Sequence, residues 1–267
     1  MKISSIPALF FDRNGSVRGA SKRAIGVNIF SPQDTLAYIR NKAREKSGYA
    51  LATVNLDHVV KLAVDEPFFK AYVEHDVVVA DGFPIVWLGR LMGADIVRTT
   101  GADLAVPVMS VLEEENRTLA LIGTTQEVLE EVTKRMKKRF PMLDIVFTNA
   151  PPFGFDPLSD KALDLMKQVE ASGASVCLLA FGAPKQEILA AQAKKVAPHV
   201  GFISVGAALD FIAGNQTRAP LWVQRSNTEW LWRLLHNPKR LFWRYAQCAF
   251  VFPILLVRAL QARLIKR

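Results

Sequence analysis

Short apolar runs alternate with amphipathic stretches along most of the chain. Seven of the runs are short, continuous and rich in Val, Ile and Leu, which is typical of strands that are covered on both faces. They lie at residues 25–29, 50–54, 76–80, 119–122, 144–147, 175–180 and 201–205. The absence of strict apolar–polar alternation favours a parallel sheet buried between layers of helices.

Stretches with helical periodicity separate these runs. One begins at Ser31, a favourable N-cap residue, with Pro32 in the first helical position. Others cover residues 102–115, 126–140, 160–171 and 185–196. Strands and helices that alternate in this way predict an α/β fold with a doubly wound, mostly parallel, Rossmann-like sheet.

The pattern divides the 267 residues into three segments. Residues 1–24 lack clear periodicity, and we expect a loosely ordered lead-in. Residues 25–217 form the predicted α/β catalytic domain. Residues 218–267 predict a helical appendage in two pieces, at 229–235 and 238–265, which are separated by an Asn-Pro step.

The appendage holds all of the chain's net charge. The whole chain has 34 Lys and Arg residues against 25 Asp and Glu residues, a net charge of +9. Residues 218–267 contain 10 of these basic residues and one acid, Glu229, so the preceding part is neutral overall. Four of the five tryptophans also lie in the appendage: Trp222, Trp230, Trp232 and Trp243. A neutral body and a basic, Trp-rich appendage indicate two functional parts.

An apolar run at 246–257 favours contact between the appendage and a membrane surface. The run ends at Arg258 and contains Pro253, whereas a membrane-spanning helix needs about 20 apolar residues. An amphipathic helix lying on an anionic membrane surface fits better. The alternatives are a terminal helix packed on the body and a nucleic-acid interface. Aromatic residues within an apolar stretch argue against nucleic acid.

Polar residues and glycines follow the predicted strands at the edge where doubly wound sheets bind ligands. Asp81 comes directly after the strand at 76–80, so its carboxylate can serve as a general base. It can equally cap the next helix. Gly82 permits a tight turn or the close approach of a ligand.

Other candidates follow neighbouring strands. Thr53 and Asn55 point to the same side of their strand and can hydrogen-bond a hydroxylated ligand, or they can be a strand Thr and a turn Asn. Gly123 opens a Gly-Thr-Thr loop that can hold a phosphate on backbone N–H groups. Arg98 can face a diphosphate or form a surface ion pair.

Several well-known motifs are missing from the sequence. It contains no GxGxxG fingerprint, no Walker P-loop, no CxxC pair and no His spacing that fits a metal site. We therefore predict no bound cofactor and no metal.

The ordered set of segments at this edge resembles the WecG/TagA/CpsF family of bacterial glycosyltransferases, glycosyltransferase family 26. The resemblance runs from about Ile25 to Tyr245. It rests on Thr53-Val54-Asn55, Ala80-Asp81-Gly82, Arg98 with Gly101-Ala102-Asp103, Phe181-Gly182-Ala183-Pro184-Lys185-Gln186-Glu187, Val205-Gly206-Ala207-Ala208-Leu209-Asp210, Arg218-Ala219-Pro220 and Glu229-Trp230-Leu231-Trp232-Arg233-Leu234.

The resemblance implies an inverting transfer, without a metal, from a UDP-sugar to a polyprenyl-diphosphate-linked sugar. The enzyme would be peripheral to the cytoplasmic face of the bacterial inner membrane and serve exopolysaccharide or cell-envelope assembly. The implied donor sugar is N-acetylmannosamine, N-acetylmannosaminuronic acid or glucose. Asp81 is implied as the base, with the pocket residues Thr53, Asn55, Arg98 and Gln186. Gly82, Gly123, Gly206 and Asp210 complete the predicted substrate site. Appendage arginines are implied to hold the diphosphate, and the candidates are Arg233, Arg240 and Arg244.

Other function classes stay open at this point. A Rossmann-like oxidoreductase or methyltransferase is disfavoured by the missing glycine fingerprint. A non-catalytic membrane adaptor on the same fold is disfavoured by the intact set of polar residues at the sheet edge. Self-association through the basic appendage is a further alternative. We also expect that deletion from Arg218 onward abolishes transfer and leaves the body folded.

Overall fold

A computed structural model describes residues 2–13, 15, 23–226 and 228–265, apart from the side chains of Arg225, Arg240 and Ile265. Within these residues the chain forms eight strands. They are β1 (Ala8–Phe11), β2 (Ala24–Val27), β3 (Tyr49–Val54), β4 (Val77–Ala80), β5 (Thr118–Gly123), β6 (Asp144–Asn149), β7 (Val176–Ala180) and β8 (Gly201–Ser204).

Twelve α-helices occur in the same part of the chain, after a short 3-10 turn at Ile3–Ser5. They are α1 (Pro32–Glu45), α2 (Leu56–Leu62), α3 (Glu66–Val73), α4 (Phe83–Leu91), α5 (Gly101–Glu114), α6 (Gln126–Arg139), α7 (Asp160–Ala171), α8 (Lys185–Val196), α9 (Ala208–Ala213), α10 (Leu221–Arg225), α11 (Glu229–His236) and α12 (Pro238–Ile265).

Six of the strands form one parallel sheet in the order β4-β3-β8-β7-β5-β6. Thr53 of β3 lies opposite Val79 of β4, and Leu51 lies opposite Ile203 of β8. Because all six strands run in the same direction, their carboxyl ends meet at one edge. This arrangement confirms the predicted α/β, Rossmann-like fold class.

Side-chain caps fix where several of the helices begin. Ser31 accepts a hydrogen bond from the N–H of Asp34 at 3.0 Å, and Thr100 accepts one from the N–H of Asp103 at 3.0 Å. Each cap pairs an N–H group that the first turn of a helix leaves without a backbone partner. The start of α1 after Ser31 is the one that the sequence predicts.

Helices cover the sheet on both faces. One core cluster joins the sheet to α1, α5, α6 and α9, and a second joins it to α7 and α8. A third cluster joins β1 and β2 to α2, α3, α4 and α12 at the β3–β4 end of the sheet. The sheet is therefore buried along its length, which explains the continuous apolar runs of its strands.

Two local predictions are wrong. The strand predicted at 25–29 is β2, which pairs in parallel with β1 instead of joining the main sheet. Ala8 lies opposite Ala24, so part of the segment predicted as a loose lead-in is a strand. Residues 14 and 16–22 of that segment lie outside the described residues. Four apolar residues with no alternation carry too little signal to predict a strand.

The C-terminal helix α12 is part of the third core cluster. Its inner face buries Cys248, Val251, Leu255 and Ala259. The guanidinium of Arg258 donates hydrogen bonds to the carbonyl oxygens of Ile6 (2.7 Å) and Ile3 (3.1 Å). Deletion of the appendage would therefore expose apolar core, so the packing does not support the expectation that such a truncated body stays folded.

The length and composition of α12 differ from the short apolar run predicted in it. The helix continues through Pro253. Its residues Leu241–Leu264 include an 18-residue stretch with a mean hydropathy of 1.4, and the segment is long and apolar enough to cross a membrane. Core helices of soluble proteins also meet this criterion, and the inner face of α12 is packed on the body.

Two valines on α12 test whether this helix stabilises the fold. Val251 is fully buried, whereas the side chain of Val257, on the same helix, is 54% exposed. We expect Val251→Ala to lower the free energy of unfolding in urea by about 1.5–3 kcal/mol, because it removes two buried methyl groups and leaves a cavity. Val257→Ala is the matched control and should change it by less than about 0.5 kcal/mol. Equal losses would contradict the packing.

Candidate active site

The ends of β3 and β4 bring Asn55 and Asp81 together. The backbone N–H of Asp81 donates to the carbonyl of Val54 at 2.8 Å, which places the residue after β4 beside the residues that end β3. The side-chain oxygen of Asn55 caps α2 by accepting from the N–H of His58 at 3.0 Å. The Asn55 side chain also hydrogen-bonds Asp81. Asn55 is thus a helix cap and a partner of Asp81, and Thr53 is buried within the same strand end.

The structure removes one of the two interpretations of Asp81. The N-cap of α4 is Gly82, which has a φ of +90° and makes no side-chain cap. Glycine is favoured there because side-chain-bearing residues rarely adopt this left-handed conformation. The Asp81 carboxylate therefore does not cap the helix that follows it.

The charges around Asp81 tune its basicity. Burial is the largest influence and raises the pKa of Asp81 to about 6. The charge of Glu229 also raises this pKa, whereas Arg233, Arg98 and the hydrogen bond from Asn55 lower it. The carboxyl is thus ionised at neutral pH and is more basic than an exposed aspartate. Arg233 and Glu229 both belong to α11, so the appendage lies close to Asp81.

A chain of ion pairs connects α11 to the body. Glu229 pairs with Arg233 one turn along α11, and its carboxylate lies 3.5 Å from the guanidinium of Arg98. Arg98 in turn lies 3.7 Å from Asp103 at the start of α5. Asp103 also pairs with Arg218, at 2.6 Å. The structure therefore brings Asp81, Arg98 and Arg233 into one electrostatic group.

Gln186 connects two of the glycine loops at the sheet edge. Its side-chain oxygen accepts from the N–H groups of Gly182 (3.3 Å) and Gly206 (3.1 Å). Its amide nitrogen donates to Glu187 at 2.8 Å. Both side chains are buried, and burial raises the pKa of Glu187 to about 7. Gln186 thus holds the loops after β7 and β8 together.

Gly123 and Asp210 form a separate group beyond β7. Gly123 has a φ of +112°, and a Cβ there would lie 2.5 Å from the carbonyl oxygen of Ala180, so this close approach requires glycine. The hydroxyl of Thr124 donates to Asp210 at 3.1 Å. Thr125 caps α6 by accepting a hydrogen bond from the N–H of Val128. Two consecutive side chains, those of Thr124 and Thr125, therefore hold the loop after β5 in place.

The three appendage arginines differ in position. Arg233 lies near Asp81. Arg244 instead forms an ion pair with Asp57 of α2, with 2.6 Å between its Nε and Oδ1. The side chain of Arg240 lies outside the described residues. In that described part of the chain, no group of three or more His, Cys, Asp or Glu side chains is arranged to hold a metal ion.

Comparison with known protein families gives one match over nearly the whole chain. Residues 23–267 match the glycosyl transferase WecG/TagA/CpsF family. The chain belongs to this family. The match confirms the resemblance and extends it beyond Tyr245 to the end of α12, so the whole appendage is part of the WecG/TagA/CpsF pattern. Membership supports a general glycosyltransferase role.

Four polar residues of this WecG/TagA/CpsF site were not singled out in the sequence. They are Asp57, Lys61, Glu187 and Glu229. Asp57 and Lys61 are four residues apart, which is a recognisable signal on a helix. That signal depends on α2, a helix of seven residues that is too short for its periodicity to be detected. Glu187 and Glu229 lie in segments that carry the resemblance, but neither was among the predicted site residues.

Replacement of Gln186 tests whether its side chain holds the loops after β7 and β8 together. We expect Gln186→Ala to lower the free energy of unfolding by about 1–3 kcal/mol, because two partly buried N–H groups and one oxygen of the buried Glu187 lose their partner. Gln126→Ala is the control, since Gln126 makes an exposed hydrogen bond to Glu130 on α6. Urea denaturation of both variants measures the difference. A loss no larger than in the control would contradict the bridging role.

Proposed function

We propose that this protein is an inverting glycosyltransferase that moves a sugar from a UDP-sugar to a polyprenyl-diphosphate-linked sugar. The observation that carries the proposal is the position of Asp81, at the end of a buried strand and within the electrostatic influence of Arg233 of the appendage, which lowers its pKa. A base and a cation are the two groups that this transfer needs most.

In the proposed reaction, Asp81 takes the proton of the acceptor hydroxyl. The hydroxyl oxygen attacks the anomeric carbon of the donor from the face opposite to UDP. A new carbon–oxygen bond forms as the bond to the diphosphate breaks, and UDP leaves with the electron pair. A pKa of about 6 keeps Asp81 ionised at neutral pH and makes it a better proton acceptor than an exposed aspartate.

The departing UDP gains negative charge that must be stabilised. We assign this role to Arg233 and Arg98, because both guanidinium groups already act electrostatically on Asp81. A guanidinium can bind phosphate oxygens in a bidentate manner and stays charged throughout the pH range of catalysis. Since these cations belong to the protein, we propose that the transfer does not require a metal.

Several exposed side chains of the appendage support a location at the membrane surface. Large apolar residues on α10, α11 and α12 face solvent: Leu221, Trp222, Trp230, Leu235, Phe242, Trp243, Phe250, Leu260 and Leu264. The same segment carries the chain's net charge of +9. Exposed Trp and Phe together with basic residues are typical of helices that bind anionic membrane interfaces. We propose a peripheral position on the cytoplasmic face, where a lipid-linked acceptor is presented.

The test is release of UDP by the purified full-length protein. The reaction contains a detergent-dispersed polyprenyl-diphosphate-linked sugar and one donor from UDP-N-acetylmannosamine, UDP-N-acetylmannosaminuronic acid and UDP-glucose. We expect acceptor-dependent release with one donor, unchanged by EDTA. Asp81→Asn provides the control for background hydrolysis. Release that stops with EDTA would contradict the metal-independent part. Wild-type release no faster than Asp81→Asn with every donor would contradict the proposed function.

A further inference from the structure

The position of α11 depends on polar contacts. None of its described side chains is buried, so no apolar anchor fixes this helix on the body. Its polar connection to the sheet edge is the 3.5 Å contact between Glu229 and Arg98. Arg233 must nevertheless lie near Asp81 to act on it, and the contacts of α12 determine how α11 is held there.

An ion pair between Arg244 and Asp57 connects α12 to α2. Nε of Arg244 lies 2.6 Å from Oδ1 of Asp57, and Nζ of Lys61 lies 2.9 Å from Oδ2. Asp57 is only 7% exposed. A carboxylate that is removed from water in this way needs cationic partners, and both of its oxygens have one.

This ion pair is linked to α11 on one side and to the sheet edge on the other. Tyr245, the neighbour of Arg244, packs edge-to-face on Trp230 of α11 with 5.9 Å between the ring centroids. On the other side, Nζ of Lys61 donates to the carbonyl of Ala183 at 3.1 Å, in the loop that also contains Gly182. The Asp57–Arg244 pair therefore lies between the helix that carries Arg233 and a loop of the candidate site.

We propose that Asp57 and Arg244 are positioning residues whose ion pair fastens the first turns of α12 to α2 and thereby holds α11 with Arg233 beside Asp81. The inference rests on the proposed function. It assigns Arg244 a different role from the diphosphate contact implied by the family resemblance. If Arg244 instead binds the diphosphate, Asp57 occupies the diphosphate's place in the ligand-free protein. Asp57 would then compete with the diphosphate for Arg244.

The two roles predict opposite effects of Asp57→Asn on the binding of UDP. If the ion pair positions α11, Asp57→Asn and Arg244→Gln both weaken binding, by about tenfold each. The double variant should bind no more weakly than either single variant, because both remove the same interaction. Arg244→Lys keeps the charge and should recover most of the affinity. If Asp57 competes with the diphosphate, Asp57→Asn tightens binding while Arg244→Gln weakens it, and this result would overturn the proposal.

Titration calorimetry with UDP on the full-length variants measures these affinities. Asp164→Asn is the matched control, because Asp164 pairs with Lys167 on α7, where both side chains are exposed. Its affinity for UDP should equal that of the wild type. Steady-state transfer should show a raised KM for the donor together with a lowered kcat in Arg244→Gln, and recovery of both in Arg244→Lys.

Amide hydrogen exchange tests the positioning role without any ligand. We expect residues 229–236 to exchange at least several-fold faster in Asp57→Asn and in Arg244→Gln than in the wild type, while β3 and β8 keep their protection. Arg244→Gln leaves Lys61 beside Asp57, so this variant keeps a partner for the buried carboxylate. Unchanged exchange of α11 in both variants would overturn the proposal. If wild-type protein fails to bind UDP, the proposed function fails and the exchange result still decides the positioning role.

Discussion

Replacement of Asp81 by Asn is expected to slow sugar transfer by about 10²–10⁴-fold. The amide has nearly the same shape but cannot accept the proton of the acceptor hydroxyl. The pKa of about 6 also predicts the pH dependence of the wild type. The rate should fall as the pH drops through about 6, with a limiting slope of one, since protonated Asp81 is inactive as a base. Initial rates of UDP release between pH 5 and pH 8 measure both effects.

The same substitution should stabilise the fold. Burial raises the pKa of Asp81, so the folded state binds this proton more tightly than the unfolded state does. The contribution of Asp81 to the free energy of unfolding is therefore most favourable at low pH, and it decreases as the pH rises from about 4 to 6. Asp81→Asn removes that loss and should raise the free energy of unfolding at pH 7 by about 1–3 kcal/mol. If Asp81→Asn is both slower and more stable than the wild type, Asp81 is a base whose ionised form is kept in the folded protein at the expense of stability. A rate loss below tenfold would contradict the proposed role.

Replacement of Arg233 by Gln is expected to lower the transfer rate by about 10²–10³-fold, because in the proposed reaction the leaving UDP would lose a preorganised cation. A second effect separates this role from general damage to the site. Arg233 lowers the pKa of Asp81, so its removal should shift the acidic limb of the pH–rate profile to higher pH. Arg233→Lys keeps a positive charge and should leave that limb close to the wild-type position.

A distant arginine of the same appendage provides the control. Arg263→Gln removes one charge from the last turn of α12. In a detergent assay its rate and its pH–rate profile should match the wild type. If Arg233→Gln slowed transfer but left the acidic limb in place, Arg233 would not act on Asp81 in the active enzyme.

The strands and longer helices were predictable because their signals are local. Helices of 12–14 residues with side-chain caps, such as α1, α6 and α7, begin where the sequence predicts. The short helices α2 and α3 have seven and eight residues and offer too little periodicity. The strand β1 has only four residues. It is stabilised by pairing with β2, in which Ala24 lies opposite Ala8, and the sequence of β1 alone does not reveal this pairing.

The sequence predicted where several residues of the candidate site lie, but not the contacts that they make. The rule for doubly wound sheets locates Thr53, Asn55 and Asp81 at one edge, since each follows a strand. The pairing of Arg244 with Asp57 joins residues almost 190 positions apart, and it depends on how α12 packs. Gln186 shows the difference between expectation and structure most clearly. The resemblance implies that its side chain lines a pocket, whereas in the structure its amide hydrogen-bonds two loops and Glu187.

The core contact between Ile6 and α12 determines when this part of the core can form during synthesis. Ile6 packs in the same cluster as Val251 and Leu255, and Arg258 bonds the carbonyl of Ile6. During synthesis, the strands of the sheet emerge from the ribosome while α12 is still inside the exit tunnel. The apolar surface around α2 and α4 therefore stays uncovered until α12 has left the tunnel. The nascent chain has to release α12 before this part of its core can close, and until then it exposes that surface to chaperones or to lipid.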